Sequence, residues 1–271
     1  DSANWDIGTP ALTTQLRGNI RVVVALRALD HGLHSGMFGG LAPDAITAMC
    51  RLLASLHEVD GTVAISGLVS RDDTTVDYSE DRVRAEAGLP EGVQLLGQGS
   101  YTSRLWTKPS ITVIGIDAPS VDESANLLTA TCRAKLSMRI APEEDPDSAL
   151  RLLTKHLQDN APWGMQVEVT ATDSGSGFTA STQGPYVEAV RAAFADAWGV
   201  QPVDTGIGGS IPFIAEFARA FPQASILVTG IEDPDTRAHG ANESLHVPEF
   251  VKACVAEAIL LERCGRINGS D

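Results

Sequence analysis

The chain has 271 residues, 43% of them hydrophobic and 20% charged, which is enough for one large domain or two smaller ones. Its formal net charge of −15 excludes a nucleic-acid partner, because phosphate binding needs a basic surface. No apolar run approaches the roughly 20 residues of a transmembrane helix, so no membrane span is expected.

The chain opens Asp-Ser-Ala-Asn-Trp. It has no initiator Met, basic leader or apolar leader there, so it reads as the interior of a longer protein rather than a signal peptide. Residues 1–18 are polar. Residues 19–29 (NIRVVVALRAL) are β-branched and partly alternating and predict a strand. After a Gly-rich turn at 31–40, Pro43 is expected to open a helix to about 57, with Ile46, Met49, Leu52, Leu53 and Leu56 at helical spacing. A short strand is predicted at 62–68. Residues 69–105 form a charged excursion with a helix near 78–87. Strands follow at 110–116 and 131–140, a helix from Pro146 to about 158, and a strand at 165–172. The order β-α-β-β-α-β over 19–173 predicts a ferredoxin-like α+β domain.

A Gly/Ser/Thr linker at 173–184 precedes a change of character. Helices are predicted at 185–198, 211–220 and 247–263, the last ending near Gly265, with a buried strand at 225–229 (SILVT). This alternation predicts the edge of an α/β domain. Cys50, Cys132, Cys254 and Cys264 form no CxxC pair. Cys50 and Cys132 sit in apolar-periodic segments and read as buried free thiols of a reduced, cytoplasmic compartment.

Four stretches could carry chemistry. In DHGLHSGMFGG (30–40) the glycines either serve turn geometry or let backbone approach a ligand, with His31 and His34 solvated or donating to an oxyanion. Asn126 and Arg139 flank a strand, and an Arg at a strand end clamps a carboxylate or forms a surface ion pair. In GIGGSIPF (206–213), Gly209 and Ser210 offer either an anion site of free N–H groups or a helix N-cap. RAHGANESLH (237–246) carries His239, Asn242, Glu243 and His246 after a strand, a position suited to ligand binding.

In order, LHSGMFGG (33–40), RLWTKPSITVIGI (104–116), AKLSMRIAP (134–142), GGSIP (208–212) and AHGANE (238–243) resemble the M20 metallopeptidases, and most closely their carnosinase-like dipeptidase branch. DSANWDIGTPALTTQLRG resembles the end of that family's first catalytic segment. The resemblance covers about 1–250. It implies an α/β catalytic domain with a ferredoxin-like lid that makes a homodimer, divided here into a catalytic remnant at 1–18, a lid at 19–180 and the C-terminal part of the catalytic domain at 181–271.

The resemblance also implies two zinc ions per complete site, with manganese or cobalt as alternatives. Asp1 and His239 fall on metal ligands. His34 falls on the lid histidine that reaches the partner subunit's site and steadies the tetrahedral oxyanion. Asn126, Arg139, Gly209 and Ser210 fall on contacts to the substrate's carboxylate end. The chain departs from the pattern in three ways: it contains no HxD and no matching Glu-Glu pair, and Gly206-Ile207 stand where relatives often carry an Arg before GGSIP. The expectation is therefore a fragment of a dipeptide hydrolase, inactive alone, with an incomplete metal site. A deacylase of N-acyl amino acids and a non-catalytic dimerisation module are the alternatives.

Overall fold

The computed structural model describes residues 2–268. β1 (Ala11–Leu16) and β2 (Gly18–Arg27) are separated only by Arg17. Alternation along β2 buries Ile20, Val22, Val24 and Leu26 and turns Arg21 and Arg27 to the opposite face. β3 (Leu33–His34) and α1 (Ser35–Phe38) make the Gly-rich turn. α2 (Ala45–Ala54) starts at Asp44, whose carboxylate accepts from the Thr47 N–H at 2.8 Å. Pro43 thus precedes the cap instead of opening the helix.

The strand expected at 62–68 does not form. One isolated bridge joins His57 and Val63, and Gly61 and Gly67 turn the chain at φ 85° and 91°. The excursion holds α3 (Glu80–Ala87), capped by Ser79, and a second short helix that the sequence did not reveal, α4 (Tyr101–Trp106). Then come β4 (Ser110–Ile116), β5 (Leu127–Leu128), β6 (Thr131–Ile140), α5 (Pro146–Asp159) and β7 (Gln166–Gly175). β7 and β8 (Phe178–Thr179) occupy part of the span read as a linker.

The larger sheet has the order β4-β6-β2-β7, every neighbour antiparallel. With α2 and α5 packed on one face this is the ferredoxin-like arrangement. Its core includes Val22, Val24, Met49, Leu52, Leu136, Met138, Leu153 and Leu157, each fully buried.

The rest of the chain supplies α6 (Pro185–Trp198), β9 (Val203–Ile207), α7 (Pro212–Ala220) and α8 (Val247–Asn268). α8 continues through Gly265, past its expected end. A second sheet, β8-β1-β9, and helices α6 and α8 enclose a separate core of Leu12, Val190, Ala193, Phe194, Trp198, Ala256 and Leu260. The strand expected at 225–229 is absent. That segment runs beside β1 and accepts one bond, from the Thr13 N–H to the Val228 carbonyl, while β9 takes the parallel place on β1. The fold is mixed α/β. Among the described residues no helix is long and apolar enough to cross a membrane. All four cysteines are free, but Cys50 is exposed, against expectation, while Cys132 is buried.

An aromatic clamp fastens the excursion to the N-terminal segment. Trp5 stacks on Tyr78 with centroids 4.7 Å apart, and both meet Trp106 edge-on. The Arg82 guanidinium lies over Trp5 and Tyr78 and donates to the Trp5 carbonyl at 2.8 Å.

Candidate active site

The antiparallel pairing of β2 with β6 sets Asn19 opposite Arg139 at one end of the larger sheet. The turn after β9 brings Gly209 and Ser210 to the same place, and the 230–246 loop brings His239. These residues line a cavity of about 510 Å³ together with Arg21 and Asp173. Four of the residues singled out in the sequence, Arg139, Gly209, Ser210 and His239, therefore converge.

A chain of hydrogen bonds runs through the cavity wall. Arg139 Nη1 donates to Ser210 Oγ at 3.3 Å, and Ser210 Oγ donates to Asn19 Oδ1 at 2.8 Å. Asn19 Nδ2 donates to Asp173 Oδ2 at 3.1 Å, and Arg21 lies 3.3 Å from the same carboxylate oxygen. The N-cap of α7 is Ile211, not Ser210, whose hydroxyl proton is committed to Asn19. Burial, with Arg21 adding to it, holds the Arg139 guanidinium below its usual pKa.

Arg17 is buried and donates to the carbonyls of Gly208, Arg104 and Lys108 and to Ser110 Oγ, at 3.1–3.3 Å. Its pKa falls to about 10, by burial first and by Arg139 second. It thereby ties the Gly208 turn to β4 and α4.

Asn19, Arg21 and Asp173 escaped the sequence reading. Asn19 and Arg21 are polar interruptions in an apolar strand, which is a faint signal. Asp173 had none, because it depends on a bulge. Arg21 pairs with Asp173 but Val22 pairs with Ala171, so Thr172 is an extra residue in β7. That extra residue turns Asp173 onto the cavity face. Gly175, opposite Asn19, has to lack a side chain, since a Cβ there would lie 2.7 Å from Asn19 Oδ1.

His34 and Asn126 lie elsewhere. β3 pairs with β5, setting His34 opposite Leu127, and the Ser35 N–H donates to the Asn126 carbonyl at 3.0 Å. His34 is exposed, and its Nδ1 accepts from the Gly36 N–H at 3.1 Å. This ribbon sits beyond the Arg27–Thr131 end of the sheet, whereas Arg139 sits at the Asn19 end. The two ends are about 26 Å apart, eight residues at roughly 3.3 Å each. Asn126 and Arg139 are thus not brought together within one chain.

His239 is exposed in a loop where Arg237, His239 and Asn242 all have φ near +60°. Such left-handed backbone in non-glycine residues is strained and concentrates at functional sites. The His239 N–H donates to Glu243 at 3.2 Å, and His246 pairs with Asp235 at 2.9 Å. Asp1 lies outside the described residues. Among the described residues no three His, Cys, Asp or Glu side chains converge as a metal site. The described residues therefore do not by themselves fit a dinuclear zinc centre, which needs about three protein ligands per ion.

Comparison with known proteins identifies the family and the fold. The M20_dimer family model, a peptidase dimerisation domain, matches residues 14–165. A cysteinylglycine-S-conjugate dipeptidase of Corynebacterium striatum is 32% identical over 98% of this chain and 59% of its own length. Among solved structures, a di-peptidase of Saccharomyces cerevisiae aligns at a TM-score of 0.77 and 25% identity, over 97% of this chain and 58% of the other. An M20 family metallo-carboxypeptidase from Sulfolobus solfataricus shares the fold at a TM-score of 0.79 and 21% identity, over 96% and 61%. The chain spans somewhat over half the length of each.

Proposed function

Since the chain belongs to the M20 peptidase family, we propose that it is part of a metal-dependent hydrolase cleaving the amide bond of dipeptides, working as a homodimer. The observation that carries this reading is the cavity where Arg139, Gly209, Ser210 and His239 converge. Arg139 supplies a guanidinium fork for the substrate's terminal carboxylate. Gly209 and Ser210 shape the wall beside it. His239, with Asp1, contributes to a metal site that other residues of the whole protein complete. Zinc is the metal we favour, with manganese or cobalt as alternatives.

His34 and Asn126 serve the cavity of a second copy, because the length of the sheet separates them from their own. There His34 is suited to hydrogen-bond the oxygen that gains charge as the amide is attacked. The domain division proposed is 1–18 and 181–271 on the catalytic side and 19–180 as the lid. The dimer face we assign to β4, an edge strand of the larger sheet, where Val113, Ile114 and Ile116 are 42%, 51% and 43% exposed. A long apolar edge with unpaired backbone groups favours strand pairing with another copy. The free thiols suit a reducing compartment such as the cytoplasm.

The test is release of amino acids from a dipeptide panel by the full-length protein, with zinc or manganese added and a chelator control. Metal-dependent cleavage is expected. Turnover of N-acyl amino acids without dipeptide cleavage would move the protein to the deacylases, and inactivity on both would leave a dimerisation module. The 271-residue chain alone is expected to be inactive and to bind zinc substoichiometrically. Elemental analysis finding about two tightly held zinc ions per chain would overturn that expectation.

A further inference from the structure

The cavity contains two guanidiniums and one carboxylate aimed at the same space: Arg139, Arg21 and Asp173. The Arg21–Asp173 pair is 44% and 48% exposed, so it contributes little to stability. The chain nevertheless commits specific structure to it. Thr172 is inserted as a bulge, its hydroxyl donating to the Arg21 carbonyl at 3.2 Å, and this turns Asp173 from the strand's other face onto the cavity. Gly175 is bare, which leaves room for Asn19. Asp173 accepts from the Asn19 amide and so fixes which way that amide points. Asn19 Oδ1 is then left to accept from Ser210, and Ser210 to accept from Arg139. Asp173 therefore acts on the Arg139 side of the cavity in two ways, through charge and through this relay.

We propose that Asp173 is a specificity-determining residue: it neutralises one of the two guanidiniums and leaves Arg139 for a single carboxylate, so the cavity selects substrates whose C-terminal end is monoanionic. This rests on the reading of the cavity as the seat of the substrate's carboxylate end. A second carboxylate, such as the side chain of a C-terminal Glu, would enter the same space as Asp173 and be repelled by it. The neutral isostere Gln would not.

The experiment uses the full-length protein with its metal. Calorimetry measures binding of two non-cleavable analogues, Gly-Gln and Gly-Glu with the scissile carbonyl reduced to CH₂, so affinity is read whether or not the protein cleaves peptides. The wild type is expected to bind the Gln analogue about tenfold tighter, as is ordinary for a like charge at a partly exposed site. Asp173→Asn, which still offers Asn19 an acceptor, is expected to bring the two affinities within about twofold by the same charge argument. Arg21→Gln is expected to weaken the Gln analogue and keep the preference, and it serves as the second variant should Asp173→Asn fail to fold. A Glu-to-Gln ratio that Asp173→Asn leaves unmoved would overturn the proposal. So would an Arg21→Gln protein that binds the Gln analogue as the wild type does, or a wild type that binds neither analogue or prefers Glu. Dipeptide turnover, assayed in parallel, judges the hydrolase reading separately: monoanion selectivity without turnover would sink the hydrolase and leave the selectivity standing.

Discussion

His246 and Asp235 close the base of the loop that carries His239, with the imidazole 2.9 Å from the carboxylate. The hydrogen bond to Asp235 raises the His246 pKa above 6.5, desolvation opposes it, and the charges of Asp235, Asp233 and Glu249 add to the rise. The folded pKa therefore exceeds the unfolded one. The pair's contribution is fully present below pH 6.5 and is lost as pH rises through the folded value. NMR titration of the imidazole is expected to give a midpoint above 6.5, brought back toward it by Asp235→Asn; a wild-type midpoint at or below 6.5 would sink this account. Gly206 makes a second, steric prediction. A Cβ there would lie 2.6 Å from Trp106 Cβ and Cγ, and Trp106 is 5% exposed and locked in the aromatic clamp. Gly206→Ala is expected to cost about 1–3 kcal/mol in denaturant unfolding. At this scale the sequence disclosed residues whose chemistry is local, such as Arg139 at a strand end and Ser210 after glycines. It did not disclose Asp173, because the bulge at Thr172 ends the Val167-Val169-Ala171 alternation, and Asp173 then reads as the start of a linker.

Among the elements, β4 carries a prediction of its own. Ile114 is half exposed on the open edge of the larger sheet. Ile114→Lys places a charge where a second strand would pair, a device that natural edge strands use against association. Sedimentation at micromolar concentration is expected to find a dimer for the wild type and a monomer for the variant, with unchanged circular dichroism. A variant that remains dimeric would move the interface elsewhere. The larger sheet was legible because β6 alternates over all ten of its residues, β2 and β7 alternate over part of theirs, and α5 begins with Pro146 after a capping Asp145. The smaller sheet was not. β9 reads VDTGI, with an Asp paired to Arg191 and a Gly forced by Trp106, so it lacks the apolar run expected of a parallel strand. SILVT has that run, but it only grazes β1 through one hydrogen bond. Apolarity located a half-buried segment there, and backbone pairing decided which segment became the strand.

For the whole molecule, the consequence of greatest reach lies in where the ribbon of His34 and Asn126 sits relative to Arg139. If each active site draws on both copies, the unit of function is not the polypeptide, and two defective alleles can repair each other. A chain carrying His34→Ala still has its own Arg139, and a chain carrying Arg139→Ala can still lend it His34. Mixing the two in equal amounts by co-expression would make half the dimers hybrid, each with one intact and one doubly damaged site. Activity should then return to about a quarter of the wild-type value from two nearly silent parents, as two-fold symmetry with random pairing requires. Sites built within single chains would yield no recovery at any mixing ratio.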